Sequence, residues 1–480
     1  MKKFLFAAFL VVGLAALLSP PVAFAQEEKP FTIHGEVRVR GEYDNNAQDF
    51  TDSGTDPGLG SNDDEANYWP YRIRIAAEGH FTKNISAWIE FQNAGVFGGD
   101  LLFGPVKTGT PVGLATDSGV MMYQGNVTIN KLWSDKFSLQ IGREEIVRGN
   151  ELMLGDLDFY AGLSHDGVVG VWDLKNVDIT AFYTRAYEGS VTHADNFLPP
   201  DQLVTGINAT PGTHHFWGGY ATWTLKKGWI VDAYLLDYRD RDFGADAPVT
   251  IQTVGGRFAN DVTDKAGLVW NAEFAQQFGE YSELATPFPV STFEEGADVS
   301  GSVLEGMIGW NFKGGNATHR VFGRYEWASG NETDTDSTPG DKEDEGFFPM
   351  YGDFHNRLGR GDWFQLTGDS PTGLGGGLAG TGGGGIVAVA AGYTGWFKEN
   401  HTFGAQVWDY TLDQETDLGG TAGESDDLGS AFDLWYGYAY SRNLAFEASI
   451  SQLSPGDALT GDGGPDDSVM RVYGQARLRF

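Results

Sequence analysis

The stretch Ser468–Phe480 constrains the fold more than any other part of the chain, because its side chains alternate strictly between apolar and polar. One face carries Met470, Val472, Gly474, Ala476, Leu478 and Phe480, and the other carries Arg471, Tyr473, Gln475, Arg477 and Arg479. A period of two predicts a β-strand with one apolar and one cationic face. The apolar face suits lipid only if every backbone N–H and C=O is paired, so this strand requires a neighbour on each side.

Two other stretches repeat this pattern. Apolar residues of the first are Phe31, Ile33, Gly35, Val37 and Val39, which alternate with Thr32, His34, Glu36, Arg38, Arg40 and Glu42. This phase holds for about a dozen residues, a length that suits a tilted strand crossing a membrane. The next stretch carries Arg72 and Arg74 on its polar face, turns at Thr82-Lys83-Asn84 and continues as Ile85–Gln92. It therefore predicts a hairpin.

Compact turns and long polar segments then alternate along the chain. Turns are predicted near Ser134-Asp135, Lys175-Asn176, Lys226-Lys227-Gly228, Asn260–Lys265, Lys313–Ala317, Lys398–His401 and Ser441–Asn443. Long loops are predicted at Gly95–Val120, Val147–Ser164, Glu188–Gly212, Asp240–Pro248, Gly279–Val299, Gly330–Gly385, Asp413–Leu428 and Ser454–Asp467. The fold class expected is all-β: a transmembrane antiparallel β-barrel of about 18 strands, with short periplasmic turns and long acidic extracellular loops.

The alternation is poor in three windows, His165–Leu174, Val249–Phe258 and Ile386–Phe397. A strand is predicted in each of them, with less definite ends. The alternative fold is a secreted β-sandwich, which gives no reason for aromatic residues at strand ends. Aromatic residues cluster there in this chain, as at Tyr68-Trp69, Trp133 and Trp435-Tyr436, and this favours two interfacial belts on a barrel.

Residues 1–25 read as a signal peptide, with Lys2 and Lys3 before an apolar run and Ala23-Phe24-Ala25 at its end. The predicted mature barrel is residues 26–480, in the outer membrane of a Gram-negative bacterium. No later segment is long and apolar enough for a membrane helix. Because the chain contains no cysteine, a disulfide scaffold and a cysteine-ligated metal are excluded.

The chain is acidic overall, with 66 acidic and 32 basic residues and a formal net charge of −34, so nucleic acid is not an expected partner. The arginines, however, fall on the predicted lumen face. Closing the barrel makes the last strand a neighbour of the first, which predicts an arginine-lined solute path. Its residues are Arg38, Arg40, Arg72, Arg74, Arg320, Arg324, Arg471, Arg477 and Arg479. In the alternative interpretation each arginine is paired with an interior glutamate and only fills the lumen.

Acidic residues concentrate in the loops. The candidates for loop-bound divalent cations are Asp63, Asp64, Asp426 and Asp427, and such ions could bridge the loops to lipopolysaccharide. In the alternative these charges only solvate the rim. No other cofactor is expected.

The histidines at His214-His215 and in Ser164-His165-Asp166 lack a supporting catalytic motif, so no catalytic residue is assigned and no enzyme is expected.

The loop Gly330–Gly385 contains Phe347, Phe348, Arg357, Arg360 and Trp363. Aromatic residues on a free loop would expose apolar surface to water. The stretch Phe347–Phe364 is therefore predicted to fold into or over the pore mouth as a constriction.

Four stretches together resemble the alginate export family of outer-membrane β-barrels. They are Arg38–Tyr43 with Tyr71–Ile75; Leu139–Glu145 with Gly149 and Leu154-Gly155; His165-Asp166-Gly167; and Tyr325–Gly330 with Phe347-Phe348-Pro349 and Tyr351-Gly352. In this phase Arg143 follows Ile141 to the lipid side, which suggests a bulge or a strand end there.

The resemblance implies an eighteen-stranded barrel that exports an acidic polysaccharide through a basic pore constricted by inward-folded loops. Similarity to bacterial outer-membrane barrels also implies that the C-terminal Phe480 is read by the outer-membrane assembly machinery. The function expected is a porin for anionic solutes, acting as a monomer in contact with outer-membrane lipid and lipopolysaccharide. A general diffusion porin for small solutes and a structural or adhesive barrel remain as alternatives.

Overall fold

The structure is a computed structural model. It describes residues 31–45, 66–97, 120–187, 214–226, 228–243, 247–263, 265–281, 298–330, 343–353, 355–364, 366, 384–398, 400–414, 425–460 and 467–480. The predicted signal peptide, residues 1–25, lies outside the described residues.

Twenty-one strands and one short helix form the described part of the chain. The strands are β1 (Phe31–Asn45), β2 (Ala66–Tyr68), β3 (Pro70–Thr82), β4 (Ile85–Val96), β5 (Met121–Asn130), β6 (Phe137–Glu144), β7 (His165–Leu174), β8 (Val177–Tyr187), β9 (His214–Lys226), β10 (Trp229–Phe243), β11 (Ala247–Asn260), β12 (Gly267–Tyr281), β13 (Asp298–Val299), β14 (Ser302–Gly314), β15 (Ala317–Ala328), β16 (Glu343–Asp344), β17 (Ile386–Phe397), β18 (His401–Thr411), β19 (Asp427–Ala439), β20 (Leu444–Pro455) and β21 (Val469–Arg479). The helix, α1 (Asp457–Thr460), lies within the predicted loop Ser454–Asp467.

Eighteen of these strands form one closed antiparallel barrel, as the alternation predicts. Each long strand pairs with its neighbours along the chain, and β1 pairs with β21 from Glu36↔Arg479 to Asn45↔Met470. The pairing reaches the C-terminus, where Gly35 N donates to Phe480 O over 2.8 Å and Phe480 N donates to Gly35 O over 3.0 Å. The short strand β2 pairs with the end of β1, while β13 and β16 pair with each other in parallel.

All the compact turns lie at one end of the barrel, the end at which β1 begins and β21 finishes. Long connections leave the other end, which is therefore the extracellular end. One loop prediction is wrong: Asp240–Pro248 is not a long loop. The strands β10 and β11 continue through most of it to the pair Phe243↔Ala247, because extended backbone here satisfies its hydrogen bonds across the hairpin.

The two faces of the barrel differ in polarity. Apolar side chains such as Ile33, Ile75 and Ile308 are exposed on the outer face. The polar residues between them point into the lumen, where Arg40, Arg72 and Glu42 are buried. None of the helices among the described residues has the length and apolar character needed to cross a membrane.

The lumen also contains a hydrophobic core, which the alternation does not predict. Two chain segments lie inside the barrel, the first lumen segment (residues 145–163) and the second lumen segment (residues 345–364), and they pack against inward-facing side chains. Members of this core are Ile146, Leu152, Leu154, Phe182, Phe216, Tyr234, Leu236, Val249, Ile251, Phe347, Tyr351, Trp363, Trp408 and Tyr410. This core explains why polar and apolar residues alternate poorly in β7, β11 and β17. Inward positions that a lumen segment covers are as apolar as the outward positions.

Candidate functional site in the barrel lumen

The first lumen segment is held by arginines on β1 and β3. Arg38 donates to the carbonyls of Asp158 (2.6 Å) and Tyr160 (2.5 Å). Arg40 donates to the carbonyl of Phe159 over 2.7 Å, and its guanidinium carbon lies 3.4 Å from the centre of the Phe159 ring. These charged donors satisfy backbone acceptors that would otherwise be buried without partners.

Most arginines of the seam, by which we mean the adjoining strands β21, β1 and β3, also face a carboxylate. Three such pairs connect neighbouring seam strands: Arg72 with Glu36 (2.6 Å), Arg471 with Asp44 (2.7 Å) and Arg479 with Glu36 (3.1 Å). A fourth lies within β1, where Arg40 is 2.8 Å from Glu42. The seam is therefore nearer to electrical neutrality than its arginines alone suggest.

Asp158 is the acidic centre of the first lumen segment. Its carboxylate contacts Arg72 and lies 3.3 Å from Arg74. Burial alone would raise the pKa of Asp158, but these two cations outweigh it and hold the pKa below its usual range. Asp158 therefore stays ionised and anchors the segment to β3.

The second lumen segment is anchored on both sides of the lumen, to β14 on the far wall and to β20 and β21 beside β1. Arg357 contacts Glu305 on β14, and Arg360 lies 2.6 Å from Glu447 on β20. Arg471 donates to the carbonyl of Gly361 over 2.6 Å. The predicted constriction residues occupy this segment: Phe347 and Trp363 are fully buried, and Phe348 is partly buried.

The two lumen segments also contact each other. Leu154 and Tyr351 form a parallel bridge, and Gly155 N donates to the Tyr351 carbonyl over 2.8 Å. The ring of Phe159 stacks on His355. Because the segments contact the barrel walls and also each other, they form one internal layer across the barrel.

Three further predicted lumen arginines remain, two of them away from the pairing of β1 with β21 and one within it. Arg320 pairs with Asp261 (2.6 Å) near the periplasmic end, and Arg324 pairs with Glu326 (2.7 Å) on the same strand. Arg477 is partly exposed and lies directly opposite Arg38 in the β1–β21 register. Neither Arg38 nor Arg477 takes part in an ion pair with a described carboxylate, so the positive charge of the seam is least compensated between them.

An acidic group that the sequence does not single out joins the two segments. Carboxylate oxygens of Glu151, Asp156 and Asp353 lie within 4.8 Å of one another and could hold a cation. Burial and the nearby Asp158 and Glu151 raise the pKa of Asp156 to about 7. Burial likewise raises the pKa of Glu151 and of Asp353. Only tertiary structure brings these residues together, since Asp353 is far from the other two in sequence.

The cation candidates from the sequence are placed differently. Asp63 and Asp64 lie outside the described residues. Asp427 accepts a hydrogen bond from Gly429 N over 2.8 Å, and neither it nor Asp426 belongs to an acidic cluster among the described residues.

The histidine run at the start of β7 does not form a catalytic arrangement. His165 points into the lumen and packs edge-on against Tyr351, with ring centres 4.9 Å apart. Asp166, the next residue along the strand, points outward and pairs with Arg143 over 2.7 Å. The two side chains are therefore on opposite faces of the strand.

Arg143 is the next-to-last residue of β6 and lies on the outer face. Its register with Gly125 and Asp166 is unbroken. Of the two expectations for this residue, the strand end is therefore correct and the bulge is not.

The closed eighteen-stranded barrel with a polar, segment-filled lumen is the fold of bacterial outer-membrane porins. Its location is accordingly the bacterial outer membrane.

Similar solved structures include outer-membrane proteins of Pseudomonas aeruginosa. OccK9 (OpdG) superposes with a TM-score of 0.54 at 12% sequence identity, covering 93% of this chain and 98% of that one. OccK2 (OpdF) in complex with glucuronate gives 0.53 at 11% identity, with 94% and 98% covered. OpdK with vanillate gives 0.51 at 9% identity, with 93% and 98% covered. At these identities the likeness establishes the fold.

No family model matches the chain, and no curated protein matches its sequence. The resemblance to the alginate export family receives support for the porin-type barrel only, and none for alginate export. The stretches that resemble that family lie in β1, β3, β6, β7 and β15 and in the two lumen segments. They describe a barrel with a charged lumen and internal segments, so they carry the architecture without the substrate.

Proposed function

We propose that this protein is a diffusion channel for small hydrophilic solutes across the outer membrane. The observation that carries the proposal is the internal layer made by the two lumen segments, which reach from Arg38 and Arg72 on one wall to Glu305 on another. Segments held across a barrel narrow its path, while the charged side chains keep that path wet.

The same layer disfavours export of a long acidic polysaccharide. Such a chain needs a wide and continuously cationic path, whereas most lumen arginines here are engaged with carboxylates or with segment carbonyls. A structural or adhesive barrel would have all its lumen arginines neutralised by carboxylates. Arg38 and Arg477 have no ion pair with a described carboxylate, and this favours a solute path over that alternative.

A preference for small carboxylates is the finer part of the proposal. Arg72, Arg38 and Arg477 lie in one register row across β3, β1 and β21. Arg72 and Arg38 are buried and already donate to partners within the protein, so they add positive charge to the row, and the partly exposed Arg477 is the member placed to donate to a solute. The fixed charge and planar donor fork of arginine suit a carboxylate. Two of the similar structures hold glucuronate or vanillate, and both of these ligands are carboxylates.

Current through single channels in planar lipid bilayers tests the proposal. We expect stepwise conductance and, in a salt gradient, a reversal potential that shows anion preference. That preference should fade near 1 M salt, where screening shortens the reach of a charge to about 3 Å. A protein that inserts but passes no current would contradict the channel, and cation preference would remove only the carboxylate part.

Substitution of the least compensated arginines tests the carboxylate part. The double variant Arg38→Gln, Arg477→Gln should move the reversal potential toward cation preference and weaken block by glucuronate. The control, Arg320→Gln, removes an arginine that pairs with Asp261 far from this row. An equal change in both variants would show that total charge, and not this row, sets selectivity. Block by alginate oligomers with none by glucuronate would restore polysaccharide as the cargo.

A further inference from the structure

The outer face of the described strand residues carries arginine in one region only. Among the strand residues whose side chains the structure describes, the arginines on this face are Arg143, Arg185 and Arg239. Each follows an exposed apolar or aromatic residue of the same face, namely Ile141, Tyr183 and, four positions earlier on β10, Leu235. All three lie close to the extracellular ends of their strands, which are Glu144, Tyr187 and Phe243.

Strand pairing places these arginines in a single row. Arg143 is opposite Asp166, and Asp166 is opposite Arg185 on its other side. Arg185 is opposite His215, which is opposite Arg239. We call these five residues the arginine row. It crosses five adjacent strands, β6 to β10, over roughly 19 Å at the usual spacing of neighbouring strands.

The row is positioned by its own hydrogen bonds. Arg143 donates from Nε and Nη2 to the two carboxylate oxygens of Asp166, each over 2.7 Å. Arg239 donates to both oxygens of Asp237, over 2.7 and 3.0 Å. The side chains of Arg143 and Arg239 remain 41% and 46% exposed. Both guanidinium planes are thus fixed and still reachable from outside.

The row concentrates arginine on the outer face of a strongly acidic protein. Three of its five residues are arginines, while the whole chain has a formal net charge of −34. An arginine on the lipid face of a barrel is unfavourable by about 2–4 kcal/mol at the bilayer centre and by roughly 0–1 near the interface. The row therefore suits the headgroup level of the outer leaflet. Below it on the same face lie Ile141, Val168, Tyr183, Trp217 and Leu235, which are all exposed.

We propose that the arginine row binds the phosphate groups of an outer-leaflet lipid, a phosphorylated glycolipid of the lipopolysaccharide class. Nε and Nη2 of Arg143 and of Arg239 are held by aspartate, so the remaining Nη N–H groups of these charged side chains donate charge-assisted hydrogen bonds to phosphate oxygens. Successive arginines are two strands apart, about 10 Å, so they reach separate phosphate groups of one headgroup. The apolar residues below the row contact its acyl chains. This surface faces lipid, so it acts independently of the solute path through the lumen.

Native mass spectrometry of the full protein in detergent tests the proposal, with rough-type lipopolysaccharide and the same lipid after enzymatic dephosphorylation as probes. We expect the phosphorylated lipid to bind at least tenfold more tightly, because one lost charged hydrogen bond corresponds to roughly a tenfold change. Equal binding of both lipids would overturn the proposal without any variant. Displacement of the lipid by inorganic phosphate alone would show an anion site that does not recognise lipid, and would also overturn it.

The triple variant R143Q, R185Q, R239Q should lose this tenfold preference while its channel conductance is unchanged. A matched control, K131Q, K136Q, K175Q, removes the same charge from the periplasmic turns that join β5 to β6 and β7 to β8. It should bind the phosphorylated lipid like the unmodified protein. If both variants lose binding equally, net charge explains the effect and the row is not a site. If the triple variant does not fold, R185Q alone gives the same comparison.

Discussion

At the residue scale, the arginines of the seam have binding partners that their sequence pattern does not specify. The alternation indicates that Arg38, Arg40 and Arg72 face the lumen, and they do. Their partners, however, are largely backbone carbonyls and Asp158 of a segment more than eighty residues further along the chain. An arginine offers five donors in a fixed fork, so one side chain satisfies both a carboxylate and a carbonyl.

Asp156 gives a prediction about pH. Because its pKa is raised to about 7 in the folded protein, the folded state binds a proton between about pH 4 and 7 that the unfolded state does not. Stability from this residue is therefore present at the acidic end of that window and decreases as pH rises through 7. The lumen also loses one negative charge as pH falls from 8 to 6.

We therefore expect anion preference to increase between pH 8 and pH 6, and Asp156→Asn to remove the part of this change that is centred near 7. Reversal potentials measured across this range check it. The control Asp135→Asn changes an exposed periplasmic turn residue and should leave the pH profile as it is. A profile identical in Asp156→Asn and the unmodified protein would refute the assignment.

At the element scale, the second lumen segment closes part of the barrel and also pairs with its carboxylates. Its Arg357 and Arg360 face Glu305 and Glu447. Loss of the segment opens space and leaves these two carboxylates without their partners, but it also removes Asp353 and Asp362, so the formal charge of the lumen is unchanged. Space is measured as conductance and charge as selectivity.

Deletion of Phe347–Phe364 should raise single-channel conductance and change the reversal potential little, because the deleted stretch carries two arginines and two aspartates. Deletion of an equally long stretch, residues 190–207, from a predicted extracellular loop serves as the control and should change neither quantity. Unchanged conductance in the first deletion would count against a constricting role for the segment, even if selectivity shifts.

At the scale of the whole molecule, the barrel depends on the seam between β1 and β21. Phe480 covers Gly35 there, and a Cβ added at Gly35 would meet the Phe480 ring. A Cβ added at Gly474, also on the seam, would meet nothing within 4 Å. These two glycines therefore provide a matched pair.

We expect Gly35→Ala to displace the half-exposed Phe480 ring and to destabilise the closed barrel by about 1 kcal/mol, the low end of the range for overpacking because that ring can move, and Gly474→Ala to be close to neutral. Heat-modifiable gel mobility of detergent-extracted protein measures this as a lower conversion temperature for Gly35→Ala. Circular dichroism should show a β-rich spectrum for both. A helix-rich spectrum without any mobility shift would contradict the barrel itself.

The amino-acid sequence by itself determined the strands, their facing and the closed barrel. Period-two alternation reports which side of a strand meets lipid, and lipid leaves no unpaired edge. Strand ends near compact turns were also predictable, because Gly, Asn and Lys mark them directly. The sequence likewise placed Phe347 and Trp363 in a segment that avoids water.

Only the tertiary structure decided what fills the lumen. The pairs Arg357–Glu305 and Arg72–Asp158, and the acidic group of Glu151, Asp156 and Asp353, join residues that no local period relates. The arginine row could not be predicted from the sequence either, because it depends on the register of five strands. Local alternation fixes the face on which a side chain lies, but the partner across a barrel depends on how far each strand slides past the next and where a long loop turns back.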